Sequence, residues 1–143
     1  MNYLLDTHTI LWYFAGENRL PKEIIGIINN PSNHIFYSLV SLWEIEIKHL
    51  YKKNFTVTSG QFSFLCEQNY IDLLSINKEH INNLEKIETY NSNKSHKDPF
   101  DKMLLSQALT EKMYLITHDS KMLNYDIEYI ISYWISSCSL VNY

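Results

Sequence analysis

Short apolar runs alternate with stretches of helical periodicity along nearly the whole chain. Asn2 to Asp6 is an apolar run ending in an acid, and Thr7 through Ala15 then carries Ile10, Leu11 and Phe14 at helical spacing. Pro21 opens a second helix with Ile24, Ile25, Ile27 and Ile28, which closes near Asn29-Asn30-Pro31. His34 to Ser38 reads as a second strand. It feeds a helix in which Trp43, Ile47 and Leu50 form one face and Glu44, Lys48 and Lys52 the neighbouring one. A helix over Gln61 to Gln68 precedes a third strand, Ile71 to Ile76, and Lys78 to Tyr90 is again helical. Asn91 to Lys97 is a polar loop with no apolar residue to anchor it. Asp98 to Lys112 forms the best-defined helix and Met113 to Thr117 the fourth strand, followed by a short helix at Ser120 to Asn124 and a last strand over Ile127 to Ile131. Strands separated by helices predict an α/β fold with a parallel sheet covered on both faces, because parallel neighbours need crossover connections.

Four carboxylates stand where these elements begin or end: Asp6, Glu44, Asp101 and Asp119. Each is embedded in apolar sequence, as in Tyr3-Leu4-Leu5-Asp6 and Leu115-Ile116-Thr117-His118-Asp119. A buried ionised carboxylate costs several kcal/mol unless it is paired or coordinates a cation. With one arginine and scattered lysines, the chain has few cations of its own to offer. A divalent ion resolves that conflict, and an oxygen-rich donor set without thiolate favours Mg²⁺ or Mn²⁺ over zinc. In a parallel α/β sheet, ligands sit beyond the carboxyl ends of the strands where strand order reverses. The four acids converge there if the first and fourth strands are neighbours.

Each acid also has an ordinary structural role open to it. Asp6 can cap the helix that starts at Thr7, and Asp119 the one that starts at Ser120. Glu44 can pair with Lys48 one turn on, for about 0.2–0.5 kcal/mol. Asp98 fits a helix N-cap before Pro99, and Asp101 the favourable end of the same helix dipole. Capping accounts for Asp98, which leaves Asp101 as the ligand of that motif and Asp98 as an outer acid. His8, His96 and His118 adjoin the acids, where each reads as a hydrogen-bonding neighbour or an exposed loop residue. Most of the Trp and Tyr rings fall on apolar helical faces or strands, where they read as core packing.

The net charge of -4 would ordinarily disfavour a nucleic-acid partner, since non-specific affinity comes from neutralising phosphates. Setting aside the four acids brings the balance close to zero, and the lysines cluster at Lys48, Lys52 and Lys53 and at Lys94, Lys97 and Lys102, beside proposed ligands. Lys48, Lys52, Lys97 and Lys102 are therefore candidate substrate contacts, although lysines commonly just line solvated helix faces. Cys66 and Cys138 lack zinc or redox spacing and read as buried thiols in a reducing compartment. The N-terminus lacks the pattern of a secretory signal. The uncharged stretch Tyr129 to Val141 is shorter than the roughly 20 apolar residues a bilayer demands. The expectation is a cytoplasmic protein without a membrane partner.

Taken in order, Tyr3-Leu4-Leu5-Asp6-Thr7-His8, Ser41-Leu42-Trp43-Glu44-Ile45, His96-Lys97-Asp98-Pro99-Phe100-Asp101-Lys102 with Gln107-Ala108-Leu109, and Leu115-Ile116-Thr117-His118-Asp119 resemble the PIN-domain family. More narrowly, they resemble VapC-type toxins of bacterial type II toxin–antitoxin pairs. The resemblance covers a domain of residues 1–131 and leaves residues 132–143 as a C-terminal extension, packed on the domain or at an interface. It implies a three-layer α/β/α sandwich with a five-stranded parallel sheet and a Mg²⁺-dependent endoribonuclease, with Mn²⁺ as a possible substitute. By motif match Asp6, Glu44, Asp101 and Asp119 are the metal-binding and catalytic acids, and Thr7 and Thr117 are supporting hydroxyls. A cognate antitoxin and a homodimer are implied as partners. Two alternatives stay open: an RNA-processing nuclease without antitoxin, and a catalytically silent module that binds RNA or protein.

Overall fold

The computed structural model describes residues 1–16, 19–92 and 96–133; Lys94, Cys138 and the extension from residue 134 onward lie outside the described residues. Five strands form one sheet in the order β3-β2-β1-β4-β5, where β1 is Asn2–Leu5, β2 His34–Ser38, β3 Ile71–Leu74, β4 Tyr114–Thr117 and β5 Ile130–Ser132. All four pairings are parallel. The strand order reverses between β1 and β4, which pair in the register Tyr3 to Tyr114, Leu4 to Leu115 and Leu5 to Ile116. The adjacency that convergence of the acids requires is therefore present.

The pleat sends alternate side chains to opposite faces, and two apolar clusters result. Tyr3, Leu5, Ile35, Tyr37 and Ile116 pack with Ile10 and Trp12 of α1 (Thr7–Ala15), Ile24 and Ile28 of α2 (Lys22–Asn29) and Phe62 and Cys66 of α4 (Ser59–Gln68). Leu4 and Leu115 pack with Ile87 of α6 (Leu84–Tyr90) and Leu104, Leu105 and Ala108 of α7 (Pro99–Glu111). The helix α3 (Leu39–Tyr51) contributes Val40 to the second cluster and Ile45 to the first. These are the three layers expected from the sequence. Because Leu4 is fully buried in the central strand, Leu4→Ala should cost about 2–5 kcal/mol. The check is a lowered urea midpoint with an unchanged denaturant slope.

Junctions are set by short polar side chains. Ser38 caps α3 by accepting from the Val40 amide, Thr58 and Gln61 form a reciprocal capping box at α4, and Asp98 caps α7 with Pro99 at its first position. The helical stretch from Lys78 to Tyr90 is two helices, α5 (Lys78–Asn82) and α6, separated at Asn83, whose side-chain Nδ2 donates to the Thr110 hydroxyl at 2.9 Å.

Three expectations are corrected. The last strand begins at Ile130, later than the expected Ile127. Tyr125 and Ile127 are consumed in packing on the second cluster, and the chain joins the sheet only where the Tyr129 carbonyl accepts from the Leu115 amide at 2.8 Å. The polar loop after α6 is anchored at its two described ends, by polar residues: Asn91 is 3% exposed and bridges to Tyr125, and His96 is 7% exposed. Trp43 and Leu50 do not pack in the core; they are 60% and 61% exposed, and Trp43 meets Phe100 in a T-shaped ring contact. Cys66 is buried and free, and burial pushes its thiol up to about 12, so it is an inert apolar packing group. Among the described residues no helix is long and apolar enough to cross a membrane.

Candidate active site

Because β1 and β4 run side by side, the residues that follow them emerge at the same edge of the sheet. Asp6 follows β1 and Asp119 lies two residues beyond the end of β4. Glu44 reaches that edge from α3 and Asp101 from the first turn of α7. All four acids line one cavity of about 270 Å³, together with Thr7, His8, Lys48, Asp98, Leu104 and His118. The sequence motifs thus meet in space although they are spread over more than a hundred residues.

Asp6 is the deepest acid, only 4% exposed. Its Oδ1 accepts from the Thr9 amide at 2.7 Å, which caps α1, and its Oδ2 accepts from the buried Thr117 hydroxyl. Thr117 Oγ1 in turn accepts from the Asp119 amide at 3.0 Å, so one hydroxyl ties the two acids of the central strands together. Burial by itself would raise the Asp6 pKa, but the nearby His118 imidazole and the donors Thr117 and Thr9 outweigh it and hold the carboxyl below its ordinary value. His118 lies with Nδ1 3.7 Å from Asp6 Oδ2, beyond hydrogen-bond reach, and its ring packs edge-on against Trp12.

Asp101 behaves in the opposite way. Burial first, and then the charges of Asp98, Asp119, Asp6 and Glu44, push its carboxyl up to about 8. Its Oδ2 lies 3.1 Å from His96 Nε2. Glu44 pairs with Lys48 at 3.5 Å, and Asp119 Oδ1 caps the short 3₁₀ helix (Ser120–Asn124) through the Lys121 amide at 2.9 Å. Asp98 is exposed and accepts from the Phe100 and Asp101 amides at 2.9 and 3.2 Å, which is the capping role expected of it. Burial and then the Lys48 charge hold His8 below its ordinary pKa, so the ring facing this acidic cavity is neutral near pH 7.

The donor set fits a hard divalent cation in kind: carboxylate oxygens are gathered round one cavity, where burial and then mutual repulsion raise the Asp101 pKa. The side chains do not yet converge. Among the described residues no three carboxylate, imidazole or thiolate groups are close enough to share an ion. Partly exposed Glu44 and Asp119 would have to turn inward.

Of the four candidate lysines, the structure brings only Lys48 to the cavity. Lys102 is engaged by Glu88 on α6, and Lys52 and Lys97 are exposed away from the cavity lining. Thr7 lines the cavity and donates to Ser41 at 2.9 Å. Sequence reasoning passed over Ser41 and Tyr125, which bears on the site through His96. Neither carries a local signal, since a serine within a helix and a tyrosine in a loop are unremarkable without their tertiary neighbours.

A parallel three-layer α/β/α domain with an acid-lined cavity at its topological switch point is the class that fold and site define. The chain belongs to the PIN domain family, whose model matches residues 3–128. Among solved structures, it is similar in fold to a chain of VapBC2 from Rickettsia felis bound to a DNA fragment from its promoter, with 16% identity and a TM-score of 0.68 over 92% of this chain and 98% of that one. A chain of VapBC-1 from nontypeable Haemophilus influenzae gives 22% identity and a TM-score of 0.64 over 86% and 90%. A toxin–antitoxin complex from Klebsiella pneumoniae gives 17% and 0.61 over 91% and 96%. No curated protein sequence matches the chain.

Proposed function

We propose that this protein is a Mg²⁺-dependent endoribonuclease, with Mn²⁺ able to substitute, and the toxin of a type II toxin–antitoxin pair. The observation that carries the nuclease reading is the meeting of Asp6, Glu44, Asp101 and Asp119 in one cavity at the β1–β4 switch point. The toxin reading is supported by the fold likeness to chains of toxin–antitoxin complexes. A cognate antitoxin and a homodimer follow from it as proposed partners, and the cytoplasm as the proposed compartment.

A bound divalent cation supplies Lewis-acid polarisation of the scissile phosphate and a water of lowered pKa. Asp6 and Asp101 would be the inner ligands. Glu44 and Asp119, nearer the rim, would complete the donor set and orient the attacking water. His118, Thr117 and Thr9 hold the Asp6 carboxyl below its ordinary pKa, the Thr117 hydroxyl fixes its rotamer, and Thr7 is held by Ser41. Lys48 is the lining group with which a phosphate oxygen could pair once Glu44 turns away from it. None of the lining residues pairs a nucleophile with an activating base, which is consistent with direct attack by water.

Purified protein incubated with total cellular RNA should give discrete fragments with Mg²⁺ or Mn²⁺, none with chelator, and none from the double variant Asp6→Asn, Asp101→Asn. Growth arrest on expression, relieved by a neighbour-encoded antitoxin, separates a toxin from an RNA-processing nuclease. Absence of cleavage by folded, antitoxin-free protein, together with no calorimetric Mn²⁺ binding, would overturn the reading in favour of a silent binding module.

A further inference from the structure

His96 is buried next to the cavity without lining it, and both of its ring nitrogens are bonded within the protein. Nε2 lies 3.1 Å from Asp101 Oδ2 and Nδ1 lies 3.0 Å from the hydroxyl of Tyr125, itself 2% exposed. When Asp101 is ionised, as cation binding requires, it can only accept; the ring proton is then on Nε2 and the Tyr125 hydroxyl donates to Nδ1. Both ring nitrogens then have a partner within the protein.

We propose that His96 is a positioning residue for Asp101, with Tyr125 fixing the ring, so that one carboxylate oxygen is held by the protein and the other is presented to a cation. The inference rests on the cation-binding reading of the cavity. The contact engages Oδ2 alone and leaves Oδ1 for the ion. A carboxylate held at one oxygen keeps a single rotamer, and cation binding then costs less ordering. His96 cannot itself be a ligand while both nitrogens are committed.

The start of the loop has anchors of its own. The Ser92 amide and hydroxyl both donate to the Asn124 carbonyl, at 2.9 and 2.6 Å, and the Asp126 amide donates to the Tyr90 carbonyl at 3.0 Å. These bonds pin Tyr90 and Ser92 to the segment carrying Tyr125, and the reach from His96 to Asp101 is additional to them.

Two substitutions separate positioning from packing. The amide of His96→Asn falls where Nδ1 was and can still meet Tyr125, whereas the amide of His96→Gln reaches the place of Nε2 and can still donate to Asp101. Mn²⁺ affinity, read from the electron paramagnetic resonance of the free ion, should fall about 10–100-fold in His96→Asn and be restored to near the native value in His96→Gln. Thermal unfolding in chelator should not follow that order. Native-like Mn²⁺ affinity in His96→Asn, or equal losses in both variants, would overturn the proposal. Should His96→Asn fail to fold, imidazole ¹⁵N spectra of the native protein at saturating Mg²⁺ decide: a proton on Nε2 whose resonance moves in Asp101→Asn supports it, and a proton on Nδ1 overturns it. The underlying reading is tested by Asp101→Asn itself. If the native protein does not bind Mn²⁺, or Asp101→Asn binds it equally well, the cation site fails and the inference with it; if that control behaves and only the His96 variants do not, the inference alone fails.

Discussion

Asp6→Asn should lower metal-dependent RNA cleavage by at least about 100-fold, since loss of a mere outer-shell partner already costs 10–100-fold in affinity or activity. The fold should survive. The Asn carbonyl oxygen can still accept from the Thr9 amide or the Thr117 hydroxyl, the two donors that now hold Asp6. What is lost is the difference between charged and neutral acceptance, no more than about 2 kcal/mol. Native-like circular dichroism and a modest shift of the unfolding midpoint, beside lost cleavage, are the expected pair of results. Cleavage at the native rate by Asp6→Asn would remove this residue from the site.

The second large effect is a stability profile that slopes the wrong way for an acid. Burial, with the neighbouring carboxylates, raises folded-state Asp101 from an ordinary 3.8 to about 8. Between those values the metal-free folded chain keeps a proton that the unfolded chain gives up. The contribution is therefore fully present below about pH 4 and is lost as pH rises toward 8. His8, lowered by burial and then by Lys48, works against this slope near its own titration. The difference between the native protein and Asp101→Asn isolates the Asp101 part. A divalent cation binds the ionised form, so its affinity should climb with pH up to about 8, and Mn²⁺ should stabilise most at alkaline pH. Unfolding midpoints from pH 5 to 9, in chelator and in Mn²⁺, test both halves. A flat difference between native and Asp101→Asn protein in chelator would show that Asp101 ionises normally.

The capping and site roles of the acids, which compete when read from sequence, coexist in the structure. A strand that feeds directly into a helix needs an N-cap at its carboxyl end, the same edge at which a parallel sheet binds ligands. Asp6 spends Oδ1 on the Thr9 amide and Asp119 spends Oδ1 on the Lys121 amide. Capping takes one oxygen of each and does not withdraw the residue from the cavity. Asp98 also caps its helix and lines the cavity, but from an exposed rim position.

Local pattern was sufficient for the element order, the parallel sheet and the candidate acids, because strand and helix periodicities, caps and proline positions act over a few residues. The same pattern misplaced Trp43 and Leu50, since helical spacing says which residues share a face but not whether that face meets the sheet. It also left Asn91 to Lys97 as a free polar loop, because the burial of Asn91 and His96 depends on Tyr125, about thirty residues away. The sequence by itself determined which residues could form an acidic site. Only the tertiary structure decided that β1 and β4 are neighbours, that the Thr117 hydroxyl joins Asp6 to the Asp119 backbone, and that His96 holds Asp101 while the other acids press on it. Those facts depend on contacts between distant segments, and charge repulsion and hydrogen bonding act through distance in space, which no linear spacing encodes.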